Sequence, residues 1–247
     1  MFDFFSKKYY LVDELDGFVD IHNHIIPGID DGAKNVQESV SLIKAFGAIG
    51  VENFICTPHI MSNYYPNDSN SIFEALDLLH IELERIGLKD VTLRASAEHM
   101  IDANFENLVQ ENKVLTLDEN YLLMEMSYLQ KSINFKQAVG KVKEKRLFPI
   151  LAHPERYVYM HGSMSNYQKI KEQGVLFQLN MLSLGDYYGG EVKKATVQLL
   201  KSNQIDFIAS DVHNERQFIY LKELTLSKNL LELVRPVIER TKYNFNP

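Results

Sequence analysis

Two short segments far apart in the chain carry paired side chains of the metal-binding kind. Asp20-Ile21-His22-Asn23-His24 follows the apolar run Gly17-Phe18-Val19, and Ser210-Asp211-Val212-His213 follows Ile205-Asp206-Phe207-Ile208-Ala209. Alternate residues of an extended strand point to the same side. His22 and His24 can therefore converge on one point, and so can Asp211 and His213. Imidazole and carboxylate at this spacing suit a borderline or hard divalent ion. The chemistry this suggests is metal-dependent hydrolysis.

Other apolar runs end in the same kinds of residue. Phe54-Ile55-Cys56-Thr57-Pro58 leads into His59, and a third run leads to Glu98 and His99. Leu122-Leu123-Met124 carries Glu125, and Pro149-Ile150-Leu151-Ala152 delivers His153. Read alone, His59 or His153 would serve as a satisfied structural histidine. Glu125 is more telling, because a carboxylate inside an apolar run needs a charge partner. His80 and His161 read as surface residues, and His99, next to Glu98, should point to the opposite side of its strand. The candidate ligands are His22, His24, Asp31, His59, Glu98, Glu125, His153, Asp211 and His213. They exceed the roughly four that one tetrahedral zinc takes and suit two or three neighbouring ions. Mixed ligation of this kind accepts Mn, Fe or Zn.

The elements that must position these residues alternate. Strands are expected at residues 18–21, 53–57, 92–97, 121–126, 148–152, 175–180 and 206–210. Helical spacing appears in Val36, Val40, Ile43 and Phe46, with Gly50 as the C-cap, and in Ile72, Leu76, Leu79 and Leu83 before Gly87. Ala138, Val142 and Lys145 lie along another helix, and residues 191–202 form a fourth. Strands alternating with helices argue an α/β fold with a parallel sheet, closed into a barrel. The candidates then fall at the C-terminal strand ends, where such barrels hold their active sites. Residues 63–70 read as a loop near the site.

Composition sets outer bounds. A chain of 247 residues with 45% hydrophobic and 24% charged residues is that of a soluble globular protein. A net charge of −7 argues against non-specific binding to nucleic acid or to a membrane surface. The one cysteine, Cys56, allows no intramolecular disulfide. The N-terminal residues do not form a secretory signal, and no stretch is long and apolar enough for a membrane span. A cytoplasmic location is expected.

With these residues in view, the chain resembles the PHP (polymerase and histidinol phosphatase) superfamily, and within it the CpsB/YwqE-type bacterial protein-tyrosine phosphatases of capsule and exopolysaccharide loci. The likeness is carried by the histidine pair, Ile29-Asp30-Asp31-Gly32-Ala33-Lys34, Thr57-Pro58-His59, Ala97-Glu98, Leu123-Met124-Glu125, Ala152-His153-Pro154-Glu155-Arg156-Tyr157 and Ile208-Ala209-Ser210-Asp211-Val212-His213-Asn214. These motifs stand in the right order between residues 17 and 216 or so. The resemblance implies a distorted (β/α)7 TIM-like barrel over residues 17–247, with residues 1–16 an N-terminal extension that covers the barrel's bottom or mediates assembly. It implies three divalent metal ions, Mn²⁺ foremost. His22, His24, Asp211 and Glu98 would hold one, Glu98 would bridge to a second held by Glu125 and His153, and Asp31, His59 and His213 would hold the third. Arg156 would bind phosphate, since a planar guanidinium suits bidentate oxyanion contact. Arg216 takes the part of a second phosphate-binding arginine, although it comes earlier than in the family pattern.

The implied reaction is hydrolysis of phosphotyrosine, with in-line attack by a hydroxide bridging the metals. The implied partner is a bacterial tyrosine autokinase with a phosphorylated tail, and through it control of capsular or exopolysaccharide synthesis. A cysteine-phosphatase chemistry needs an arginine six residues beyond the thiolate; Cys56 is followed there by Ser62, so that pattern fails. Two other readings stand beside this one: a small-molecule phosphatase of histidinol-phosphate type, and a non-catalytic metal-binding scaffold for the kinase. Oligomeric state is not legible.

Overall fold

The computed structural model describes residues 8–118 and 120–246. It is a mixed α/β fold built on parallel sheets. A three-stranded sheet runs in the order β2-β3-β5, from β2 (Val19–Asp20), β3 (Asn53–Cys56) and β5 (Thr92–Ala95). A six-stranded sheet takes β4 (His59–Ile60), β6 (Glu98–Met100), β7 (Tyr121–Glu125), β8 (Phe148–Ala152), β9 (Leu176–Asn180) and β10 (Phe207–Ala209), with β4 and β10 at its edges. All pairs in both sheets are parallel. A small antiparallel pair joins β1 (Tyr9–Tyr10) to β11 (Thr225–Leu226).

The expected second and third strands, at 53–57 and 92–97, form as β3 and β5, and each is followed after a two-residue break by a further short strand that the sequence did not announce. Pro58, which has no N–H to give a ladder, stands between β3 and β4, and Ala97 stands between β5 and β6. Hydrogen bonds cross both breaks: Ser96 N donates to Cys56 O (2.8 Å) and Glu98 N to Pro58 O (3.1 Å). Beyond β2 the chain runs beside the segment after β10. Asp211 N donates to His22 O (2.8 Å) and His24 N to Val212 O (3.0 Å).

Eight α-helices lie between the strands and after the last of them: α1 (Val36–Gly47), α2 (Ser69–Arg85), α3 (Phe105–Gln110), α4 (Phe135–Glu144), α5 (Met164–Lys171), α6 (Gly190–Lys201), α7 (Glu215–Glu223) and α8 (Lys228–Phe245) among the described residues. Local chemistry starts and stops them. The Asn35 side chain accepts from Glu38 N to start α1, and Asp68 with Ser71 forms a capping box on α2. Gly50, at φ +80°, closes α1 with a bond from Val51 N to Phe46 O, as a left-handed C′ residue does.

The large core lies between sheets and helices, around Phe46, Phe54, Leu79, Phe105, Phe177 and Val234. A smaller one is made mainly of strand residues, among them Val19, Ile55, Leu123, Ile150 and Phe207, with Phe245 of α8 packed among the strand N-terminal ends. Of the N-terminal extension, residues 1–7 lie outside the described residues. Residues beyond them pack against the C-terminal helices: Leu11 and Leu15 are fully buried, Leu11 N donates to Leu224 O, and Glu14 pairs with Arg235 on α8. Among the described residues, Phe245 fills the N-terminal ends of the strands.

Candidate active site

Parallel strands put their C-terminal ends on one edge, and the polar side chains converge there. His22 and His24 meet as their spacing predicts, Nε2 to Nε2 at 3.4 Å. Asp211 Oδ1 lies 3.3 Å from His22 Nε2 and 3.4 Å from His24 Nε2. Glu98 is the hub. Its Oε2 is 3.2 Å from His22 Nε2 and 3.1 Å from His59 Nδ1, while Oε1 is 3.0 Å from His153 Nε2. Glu125 Oε1 sits 3.0 Å from His59 Nδ1. Asp31, half-exposed at the mouth, approaches His59 Nε2 (3.4 Å) and His213 Nε2 (3.6 Å).

Four overlapping sets thus have ligand atoms close enough to share an ion: His24-Asp31-His59-His213, His22-His24-Asp211, His22-Glu98-His153 and His59-Glu98-Glu125. All nine candidate ligands take part in them. The grouping differs from the expected one: four sets form instead of three, His24 also joins Asp31, His59 and His213, Glu98 stands apart from the His22-His24-Asp211 set, His153 stands with His22 and Glu98, and His59 takes the place beside Glu125.

The backbone is bent to achieve this. His153 (φ +34°) and Asp211 (φ +52°) are left-handed without being glycine, each just past its strand; such residues cost about 1–3 kcal/mol and mark functional turns. Gly32 lets the Asp30-Asp31 turn lie against the histidine pair, since a Cβ there would fall 2.1 Å from His24 O.

Electrostatics follow from burial. Burial alone would raise Glu98, but the imidazoles of His22, His59 and His153 hold it well below the usual carboxylate range. Asp211 is held down in the same way against its burial, by His22 and His24. Burial opposes a charge on His24, yet Asp30 and Asp211 push it up to about 10, while burial and the His24 charge push His213 down to about 4. The carboxylates thus draw positive charge to themselves. Glu98 Oε2 and His59 Nδ1 are buried and make no properly angled hydrogen bond. This donor set fits divalent cations, which would satisfy those atoms and supply the charge.

Arg156 leans over the cluster. Its Nη1 donates to Asp211 Oδ2 at 2.9 Å, and its guanidinium lies between the rings of Tyr128 (4.5 Å) and Tyr188 (4.1 Å). Asn180 Nδ2 ties Tyr188 and Asp211 together. Glu155, buried beside it, pins the turn by accepting from Asn180 N and Ser183 Oγ. Arg216, by contrast, is exposed on the first turn of α7 and is not among the cavity-lining residues, although Asn214 and Gln217 on either side of it are. The cavity above the cluster measures about 1110 Å³ and is lined by Tyr64, Tyr65, Tyr128, His153 and Arg156 among others. The expected loop before α2 contributes Asn63, Tyr64 and Tyr65 to it.

Sequence reasoning missed Asp30. Its Oδ2 takes His24 Nδ1 at 2.7 Å and the backbone N–H of His59 at 3.1 Å, so it fixes which His24 nitrogen faces the cluster. The doubled aspartate before Gly32 was the available signal. Gln178, 2.7 Å from His22 Nδ1, does the same for His22 and gave no signal from its place inside an apolar strand. His99 points away, as expected, into hydrogen bonds with Leu123 O and Leu115 N. His161 is half-buried and bonded to Glu155 O, not a free surface residue.

Known proteins resemble this chain in sequence and in fold. The family model for capsular polysaccharide synthesis, CpsB/CapC, matches residues 18–219. The chain belongs to the CpsB/CapC family. Among its relatives are tyrosine-protein phosphatase YwqE of Bacillus subtilis (30% identical over 79% of this chain and 77% of that protein) and putative tyrosine-protein phosphatase CapC of Staphylococcus aureus (29% over 86% and 84%). A solved structure from work on YwqE of Bacillus subtilis and CpsB of Streptococcus pneumoniae, described as unique metal-dependent tyrosine phosphatases, superimposes with a TM-score of 0.78 at 25% identity, covering 92% of this chain and 94% of that one. Histidinol phosphate phosphatase of Lactococcus lactis shares the fold alone (TM-score 0.55, 13% identity, 91% and 94% covered). The resemblance read from the motifs is thereby confirmed.

Proposed function

We propose that this CpsB/CapC member is a metal-dependent phosphomonoesterase acting on phosphotyrosine in proteins. The observation that carries the reading is the buried imidazole-carboxylate cluster around Glu98, with Arg156 held beside it at the floor of one cavity. The names of the relatives support the substrate.

His22, His24, Asp211 and Glu98 would hold one divalent ion, Glu98 with Glu125 and His153 a second, and Asp31, His59 and His213 a third, with Mn²⁺ the first choice. Such ions, when bound, activate water and neutralise phosphate oxygens. The protein's own groups do the rest. Asp30 and Gln178 hold the ring nitrogens of His24 and His22 in register. Arg156 keeps one N–H on Asp211; its other donors, with no further hydrogen bond among the described residues, are available to a phosphoryl oxygen. The rings of Tyr128 and Tyr188, 4.5 and 4.1 Å from its Cζ, restrict it to that posture. Cys56 is buried in β3 and burial pushes its thiol up, which supports a reaction without a cysteine nucleophile.

The proposal extends to the molecule's setting. The bonds joining β2 to β10 and spanning the two strand breaks support a distorted (β/α)7 ring over residues 17–247, with residues 1–16 as its extension. A tyrosine autokinase of a capsule or exopolysaccharide locus is the proposed partner, supported by the family's description. No helix among the described residues is long and apolar enough to cross a membrane, and the lone thiol suits the cytoplasm. Comparing kcat/KM on a phosphotyrosine peptide and on histidinol phosphate tests the substrate. Preference for the peptide is expected; preference for histidinol phosphate would move the protein to small-molecule chemistry.

A further inference from the structure

The cavity is not polar throughout. Its mouth carries side chains that water should not leave bare: Leu129 is 90% exposed, Ile133 100%, Tyr64 76% and Tyr128 42%. All four line the same cavity as Arg156 and Glu125. Scattered exposed apolar residues need no explanation, but a group gathered on the rim of a binding cavity marks a recognition surface. Residues 127–134, between β7 and α4, supply three of the four.

That loop is tethered beneath its exposed tips. Ser132 Oγ donates to Ile101 O (3.0 Å), Asn134 Nδ2 to Glu106 Oε1 (2.9 Å), and Tyr159 Oη to Ser127 O (3.1 Å). Lys131 rests its ammonium 5.0 Å from the Phe135 ring centre. Leu129 and Ile133 are thus presented by an anchored backbone, which lowers the ordering cost of binding.

The cavity's volume of about 1110 Å³ exceeds the ~300–1,000 Å³ of most small-molecule sites. A phosphorylated side chain reaching the floor would leave the mouth to its neighbours in the chain. An anionic membrane fits the surface poorly, given the net charge of −7.

We propose that the apolar lip of Tyr64, Tyr128, Leu129 and Ile133 docks the polypeptide on either side of the phosphorylated residue and selects apolar side chains there. This rests on the phosphatase reading for what occupies the floor. Leu129 and Ile133 act on affinity for peptides and leave the chemical step untouched, whereas Tyr128 also holds Arg156.

The test uses two fluorescein-labelled peptides that carry a non-hydrolysable phosphonate analogue of phosphotyrosine, flanked by leucines in one and by serines in the other. Anisotropy titrations are run on the full chain and on the double variant Leu129→Ser/Ile133→Ser. Both positions are exposed, so the variant should fold, and its turnover of p-nitrophenyl phosphate should match the native protein's. The native chain is expected to bind the leucine-flanked peptide about tenfold more tightly, as burying two aliphatic side chains allows, and the variant is expected to lose that preference. Equal affinity of the native chain for both peptides, no binding of either, or a preference that survives in the variant would each overturn the proposal. So would a substitution that changes only self-association, measured by sedimentation. The same two sequences made with authentic phosphotyrosine are assayed for phosphate release; if the binding preference is present but the native protein hydrolyses neither of these, the phosphatase reading falls and the docking surface stands.

Discussion

At the scale of single residues, the site depends on orientation as much as on ligand type. The residues that meet at the strand ends were legible, because histidines and carboxylates at the ends of apolar runs have few structural uses. Their supports were not. Asp30 reads as one more polar turn residue until its 2.7 Å bond to His24 Nδ1 is seen, and Gln178 contacts His22 across 156 residues of chain. Asp30→Asn is expected to weaken metal binding about 10- to 100-fold, the usual cost of losing such a support. Calorimetric titration of metal-free protein would show it, and unchanged affinity would mean that His24 needs no orienting partner. Arg156 makes the complementary case. Arg156→Lys keeps the charge but loses the planar fork held between Tyr128 and Tyr188. Steady-state kinetics on a phosphotyrosine substrate should show a loss of about 100-fold in kcat, the scale of removing one transition-state donor. A loss confined to KM would assign Arg156 to substrate binding alone.

At the scale of elements, strands were easier to read than helices. The apolar runs placed β7 and β8 within a residue of their observed bounds, since buried parallel strands show as continuous apolar segments. The chain after β10 was harder. Pro236 lies inside α8, and an interior proline costs about 3 kcal/mol in hydrogen bonding and sterics. The helix forms because its buried face, including Leu231, Val234, Ile238 and Phe245, packs against the core. Tertiary burial overrides a local signal there. The turn before α1 carries a stricter demand. Gly32→Ala would drive a Cβ into His24 O, and we expect a loss of about 1–3 kcal/mol in urea unfolding, the cost of overpacking. Metal affinity should fall with it, because Asp30 and Asp31 ride on the same turn. A stable variant with native affinity would show that the turn yields.

At the scale of the whole molecule, the two edges of the strands do different work. The C-terminal edge holds charge that is costly to bury, and the N-terminal edge is closed by Phe245 and its aromatic neighbours Tyr121 and Phe207. The described residues ahead of β2 pack against the C-terminal helices. Their ion pair from Glu14 to Arg235 gives the extension a pH signature. The hydrogen bond from Arg235 lowers the Glu14 carboxyl below its ordinary 4.5. A depressed carboxylate stabilises the fold above that value and loses its contribution as pH falls through the folded-state value. Glu14→Gln should therefore lower the urea midpoint slightly at pH 7, and the gap should close as pH drops below 4.5. A gap independent of pH would mean that packing of Leu11 and Leu15, not charge, holds the extension.

The most direct measurement is hydrolysis of a phosphotyrosine peptide by metal-free protein titrated with Mn²⁺, beside a His22→Ala/His24→Ala variant. The account predicts turnover that is absent without metal, restored by it in the native chain, and not restored in the variant. Turnover that persists without metal or in the variant would contradict it, as would no turnover by a folded, metal-loaded native chain.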